Sequence, residues 1–226
     1  MKTDLTAHAD TAYQGFKAID SGEYREKIRY VSRNHVALRE LPVQEYAEVM
    51  DAYAEALFET GRYSEHMQLS DHLLELAIEY NIHEVNERDL YFETLFQRAA
   101  SLYNLNRMPE AVYVLEQLIG INPRHESTRL FLINCYVEQQ KQKLQLIRTV
   151  SMVLILTAAL VIGLELLVIR TLFPALQGAT ELLRNALFIC GASVLIIGEI
   201  WVRYRAVSHV YDFTRKASRD KQHDID

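Results

Sequence analysis

Four carboxylates stand at intervals of three and four in the stretch "EVMDAYAEALFE": Glu48, Asp51, Glu55 and Glu59. On a helix that spacing places all four on one face. Such a row has two readings, an ordinary solvated face or a surface for a basic or mixed basic-apolar segment of another protein. Two further carboxylates, Glu165 and Glu199, interrupt long apolar runs. A carboxylate in hydrocarbon is costly, so it faces a partner or water. For this pair the readings are interfacial snorkelling, pairing, or an ion path.

The remaining candidates for chemistry do not assemble into a site. Eight histidines are scattered, and His66 and His72, six residues apart, do not share a helical face. The charged stretch "HEVNERD" (83–89) departs from the spacing of a calcium loop and reads as a solvated loop. No His-Glu-x-x-His, Cys-x-x-Cys or phosphate-binding glycine loop occurs, and no nucleophile sits in a recognisable elbow. The two cysteines, Cys135 and Cys190, form neither a metal motif nor a disulfide framework. The expectation is a protein that is not an enzyme, with no catalytic residue, no metal and no cofactor.

Charge divides the chain. Residues 1–140 carry 13 Lys and Arg against 23 Asp and Glu, a net of −10, while the rest carries 11 against 7, a net of +4. The acidic front argues against a nucleic-acid partner, whose phosphates need a basic face. In the second half the basic residues sit at the edges of apolar runs, a membrane pattern. The first 25 residues hold eight charged or histidine side chains and no long apolar core, so no cleavable secretory signal is expected.

The acidic front repeats itself. "GEYREKIRYVSRNH" from Gly22, "GRYSEHMQLSDHLL" from Gly61 and "NRMPEAVYVLEQLI" from Asn106 align. Each opens on a residue that tolerates a left-handed backbone and ends helices. Each has a bulky residue two places on (Tyr24, Tyr63, Met108), and each has a small one seven places before (Gly15, Ala54, Ala99). Small residues there let two helices approach closely.

This pattern resembles the tetratricopeptide repeat (TPR) family, built of helix-turn-helix units of about 34 residues. Unit three (92–125) places Ala99, Leu102, Asn106, Ala111, Leu115, Leu118 and Pro123 on the family's key positions. Unit two (47–80) keeps Ala54, Leu57, Gly61, Tyr63 and Leu73, with His66 where a small alanine is expected. Unit one (8–41) keeps Gly15, Gly22 and Tyr24, with Lys27 at that alanine position. The turn residues are 39 and 45 apart, which leaves insertions between units, the longer one covering "NIHEVNERDLY". A generic helical bundle is the other reading. "ESTRLFLINCYVEQQ" from Glu126 is expected to cap the array with Leu130, Ile133 and Val137 along one face.

In the family the first helix of each unit lines a concave groove. The resemblance therefore implies a groove formed by Glu48, Asp51, Glu55 and Glu59, flanked by Tyr13 and Phe16 before and by Phe96, Gln97, Tyr103 and Asn104 after. The basic clamp with which some relatives hold acidic C-termini is absent.

The second half reads as a membrane hairpin. Spans are expected at about 147–169 and 184–203, long enough for a hydrocarbon layer that takes about 20 helical residues. A short external connection containing Pro174 and Gly178 joins them. Lys141, Lys143 and Arg148 precede the first span, and Arg203, Arg205, Arg215, Lys216, Arg219 and Lys221 follow the second. The positive-inside rule puts both termini in the cytoplasm, most simply at the cell membrane. Small residues at Ala158, Ala159, Gly163, Gly191, Ala192 and Gly198 suit close packing within the hairpin or between copies. No Gly or Pro occurs between Pro123 and Gly163, so the capping helix is expected to run into the first span as one rod, with a break near 141–143 as the alternative.

The expected architecture is all-α: residues 1–140 a TPR-like cytoplasmic array of three units plus a capping helix, 141–205 a two-helix transmembrane hairpin, and 206–226 a polar cytoplasmic tail whose end, "RKASRDKQHDID", is expected to be disordered. The expected function is a membrane-anchored scaffold that recruits a protein partner through its groove. Alternatives are an accessory subunit of a larger membrane complex for transport, secretion or envelope assembly, and an oligomeric channel or transporter. The expected partners are a protein, the lipid bilayer, and further copies of the chain or a membrane complex.

Overall fold

The structure is a computed structural model and describes residues 2–164, 167 and 177–223. The chain divides into two compact units, Met1–Phe131 and Leu132–Asp226.

The first unit is built from helices that follow the expected pairs. They are α1 (Lys2–Lys17) with α2 (Tyr24–Leu38), α3 (Val43–Glu59) with α4 (Tyr63–Glu79), and α5 (Leu90–Asn104) with α6 (Met108–Ile121). Each helix packs on the next, and α3 also touches α1 and α5. First helices therefore neighbour first helices, the layering of a TPR-like array. Sequence explains the turns. At Gly61 (φ 75°) and Asn106 (φ 59°) the backbone is left-handed. Arg62 N–H then reaches back to the Leu57 carbonyl, and Arg107 N–H to Leu102, each at 2.8 Å. These bonds satisfy carbonyls that a helix end leaves orphaned. Asn81 (φ 53°) ends α4 in the same way. Gly22 departs from the expectation. It is not left-handed, because α1 stops at Lys17 and a longer link carries the reversal.

The alanines expected at the close contacts are buried: Ala54, Ala99 and Ala111 are at most 2 % exposed. In α1 the contact is tighter still. A Cβ on Gly15 would lie 2.1 Å from the Tyr30 hydroxyl, which donates to the Ala12 carbonyl at 3.0 Å. Glycine there is what admits the tyrosine.

The longer insertion is not a solvated loop. Residues Glu84–Val85 (β1) and Arg88–Asp89 (β2) pair antiparallel, Glu84 opposite Asp89 and Val85 opposite Arg88. The two turn residues, Asn86 and Glu87, both have positive φ, as a two-residue hairpin turn that matches strand twist requires. Val85, Ile82 and Leu90 are buried in the core of the array, and Asp89 caps α5 by accepting from Phe92 N–H at 2.8 Å. Burial of Val85 and the cap supply the reason this charged stretch is ordered.

Helix α7 (Glu126–Gln139) holds the unit boundary. Its buried positions are Thr128, Leu132 and Cys135, and Leu130 is 53 % exposed. The expected inward face is thus the wrong one. Phe131 makes edge contacts with Phe96 and Tyr103, and those rings select the face that turns inward. A turn at Gln140 separates α7 from α8 (Lys141–Leu164), so the single uninterrupted rod is not formed.

The second unit pairs α8 with α9 (Gln177–His223), the most extensive helix contact in the chain. Small residues form the seam. A Cβ on Gly198 would meet Ile147 at 2.6 Å and one on Gly191 would meet Ile155 at 3.1 Å, and Ala158 is buried. Among the described residues nothing lies within 4 Å of a Cβ built on Gly163. Ser151 donates to the Gly191 carbonyl at 2.6 Å. Both helices are long and apolar enough to cross a membrane, over Leu144–Leu164 and Thr180–Arg219. The disordered tail is corrected: α9 continues to His223, about 70 Å in all at 1.5 Å per residue. Neither Gly nor Pro interrupts it after Gly198, Val202, Ala206 and Val210 are buried at four-residue intervals, and His209 meets the Tyr136 ring edge-on.

Candidate partner-binding face of the array

Helix α3 carries the carboxylate row, and its residues meet four different environments. Glu48 is engaged from α1: Tyr13 Oη donates to Glu48 Oε2 at 2.6 Å and Lys17 Nζ lies 3.0 Å away. Burial alone would raise the Glu48 carboxyl, but the bonds from Tyr13 and Lys17 prevail and hold it below the ordinary value. Tyr13 is raised, by burial first and the Glu48 bond second. Asp51 is only 8 % exposed, and Arg88 from the β-hairpin lies 3.1 Å from it. Burial pushes Asp51 up to about 6, Arg88 opposing, with Glu55 and Glu93 adding like-charge repulsion.

Glu55 is half-buried and Glu59 exposed, and among the described residues neither forms an ion pair. The row is therefore split. Its N-terminal half is neutralised from within the array, and its C-terminal half is open. Sequence reasoning missed both internal partners. Lys17 lies on the same α1 face as Tyr13, four residues on, which was legible. Arg88 was not, because its position depends on the hairpin.

Of the flanking residues, Tyr13 stays at the groove through Glu48. Phe16 is 6 % exposed and its ring packs on Tyr30 at 6.2 Å, so it is a core residue at the margin of the groove. Gln97 turns away, its Oε1 3.4 Å from His66 Nε2. Phe96 meets the His125 ring at 5.9 Å, and with Tyr103 it bears on Phe131. Asn104 is exposed and bonds its own helix at Ala100. A cleft of about 350 Å³ opens beside Glu48, lined by Tyr13, Lys17, Ser21, Lys27, Ala52 and the hairpin tip Asn86, among others.

The two departures from the alanine position are accommodated differently. His66 is fully buried, with Ser101 Oγ 2.8 Å and Ser70 Oγ 3.3 Å from Nδ1. Burial lowers its pKa, partly offset by the Gln97 bond, and a neutral ring satisfies these partners. Lys27 is 7 % exposed, with Nζ donating to the Ser21 carbonyl at 3.0 Å and lying over the Tyr24 ring.

In the second unit Glu199 pairs with Arg148 across the two helices, rather than with Arg203 on its own. Glu165 lies outside the described residues. Among the described residues no group of three or more His, Cys, Asp or Glu is gathered as a metal site would need.

No known family profile matches the chain, and neither does any curated protein sequence. Two solved structures resemble it, both of a Podosopora anserina protein described as a kinesin light chain with nearly identical TPR-like repeats. One, a single-residue variant, is 14 % identical with a TM-score of 0.44 and covers 96 % of this chain and 98 % of that one. The other is 14 % identical with a TM-score of 0.43 and covers 98 % of each. The assignment rests instead on the geometry of this chain: three stacked helix pairs with left-handed turns at Gly61 and Asn106 make a TPR-like, all-α array.

Proposed function

We propose that the chain is a scaffold fixed to a membrane by α8 and α9, whose array holds a protein partner. The observation that carries the groove assignment is the split carboxylate row. Glu48 and Asp51 are taken up by Tyr13, Lys17 and Arg88, while among the described residues Glu55 and Glu59 form no ion pair. Glu93, close enough to act on Asp51, adds to the same negative region. A basic or basic-apolar segment satisfies that charge.

Anchoring is supported by the length and apolar character of both helices. Lys141, Lys143, Arg148 and Arg203 onward flank the apolar stretches toward both termini, a distribution that supports a cytoplasmic array and a cytoplasmic end of α9. The cell membrane is the simplest site. Within the bilayer the Arg148–Glu199 pair and the Ser151 bond hold the two helices together.

The test is co-purification from detergent-solubilised native membranes with Glu55→Lys and Glu59→Lys combined, beside Glu79→Lys as a control on exposed α4 surface. The partner is expected to be lost from the double variant and kept in the control. An unchanged co-purifying band in the double variant refutes the groove assignment.

A further inference from the structure

We propose that the array carries a second docking site, a groove along α2 that takes an acidic segment of a protein. A recess of about 590 Å³ is lined by Arg25, Ile28, Arg29, Ser32 and Arg33 of α2, with Thr60 and Arg62 from the turn that leads into α4. Three arginines recur every four residues on one helical face, and the chain reversal at Gly61 brings the fourth to them. No acidic side chain lines this recess, although the surrounding 140 residues carry a net charge of −10. Arg29 is shared with Glu26 at 2.9 Å and Arg62 with Glu65, while among the described residues Arg25 and Arg33 pair with nothing.

The adjoining recess shares Arg25, Arg29 and Thr60 but adds Glu23, Glu26 and Glu59. Positive charge therefore rises toward the Arg33 end, and that gradient orients the bound segment with its carboxylates near Arg33. Guanidinium forks hold carboxylates in two-bond geometry, and Ile28 provides an apolar floor.

The hydroxyls choose between two kinds of anionic partner. Ser32 donates to the Ile28 carbonyl at 2.9 Å and Thr60 to the Ala56 carbonyl at 2.7 Å. Their protons are spent, so each offers the groove only lone pairs. A peptide brings backbone N–H groups to meet them together with carboxylates for the arginines. A sheet of lipid phosphates brings only acceptors, and the strongly negative array around the recess opposes an anionic bilayer.

This site shares no residue with the Glu48–Glu59 row, so it stands or fails apart from the function proposed above. The experiment uses the full chain in phosphatidylcholine nanodiscs and short fluorescein-labelled peptides in which glutamate and leucine are permuted, read by fluorescence polarisation. Saturable binding of at least one such peptide is expected, weakening with salt and roughly tenfold or more weaker in Arg25→Glu combined with Arg33→Glu. Glu55→Lys should leave it unchanged. Both arginines are exposed, and circular dichroism verifies the fold. Arg33→Gln is a milder second variant and should give a smaller loss in the same direction. No binding by any glutamate peptide, or binding indifferent to both arginine variants, overturns the proposal. So does arginine-dependent capture of phosphatidylserine vesicles in place of the peptides, which would make the recess a lipid site.

Discussion

Leu73, Leu115 and Leu118 of the array are all but fully buried, whereas Leu156, Leu160, Ile196 and Ile197 of the α8–α9 hairpin are each more than half exposed. Residue types alike in size and apolarity thus occupy opposite places in the two units. Polar groups invert in step. The array keeps a few inside and satisfies them, as with His66, Asp51 and Lys27. The hairpin confines Ser151 to its helix seam, where it bonds the Gly191 carbonyl. The contrast fits the proposed membrane anchor: water drives apolar side chains inward in the array, whereas in a bilayer that drive is absent and close packing of small residues and buried hydrogen bonds join helices.

Truncation should separate the two units most sharply. Leu115→Ala removes a fully buried side chain and is expected to cost the array about 4 kcal/mol. Leu156→Ala, on the outward surface of α8, should leave the thermal unfolding of detergent-solubilised protein nearly unchanged. Equal losses at both positions would break the comparison.

The next largest effect is electrostatic and confined to the array. Asp51 is raised from 3.8 to about 6 in the folded state, so folding binds its proton more tightly than the unfolded chain does. Its stabilising contribution is complete below pH 3.8 and is lost as the pH rises through 6. The size is on the order of 2–3 kcal/mol. His66, whose pKa is lowered by burial, works the other way, favouring the fold above its unfolded value and less as the pH falls. Asp51→Asn therefore isolates the Asp51 part: urea unfolding of wild type minus variant should slope between pH 4 and 6 and be flat above 7. No difference in slope would mean that Asp51 is solvated.

Close packing gives the third comparison. Gly15→Ala drives a Cβ into the Tyr30 hydroxyl and should cost about 1–2 kcal/mol through displacement and loss of the bond to Ala12. In a Tyr30→Phe background the same change should cost less, a coupling that a double-mutant cycle measures. Gly198→Ala drives a Cβ against the β-branch of Ile147, whose χ1 is stiff in a helix, and is expected to cost a similar amount. The smallest effect is on the surface: Asp71→Ala breaks its ion pair with Arg98 and should change stability by under about 1 kcal/mol.

How much of this was legible follows from where the determinants lie. Helix pairing and the left-handed turns at Gly61 and Asn106 were readable because turn residue, small residue and apolar spacing all sit close together in sequence. The β-hairpin was not. Its turn is Asn86-Glu87 rather than an Asn-Gly signal, and the burial of Val85 together with the Asp89 cap shows why it folds. The inward face of α7 was misjudged because Phe131 is placed by Phe96 and Tyr103, some thirty residues earlier. The helical end of α9 was hidden by its polar composition, although Val202, Ala206 and Val210 already kept a four-residue rhythm. The carboxylate row was legible as a row, while its division into a neutralised and an open half needed Lys17 and Arg88 in place.

The central claim is that a bilayer-held array grips a protein through the open half of that row. It is tested most directly by a photoreactive residue at position 55, irradiated in native membranes, with the same probe at position 79 as reference. The account predicts one discrete protein adduct from position 55, found in the alkali-resistant membrane pellet and absent from position 79. Adducts alike from both positions, or a chain released by alkali into the supernatant, would contradict it.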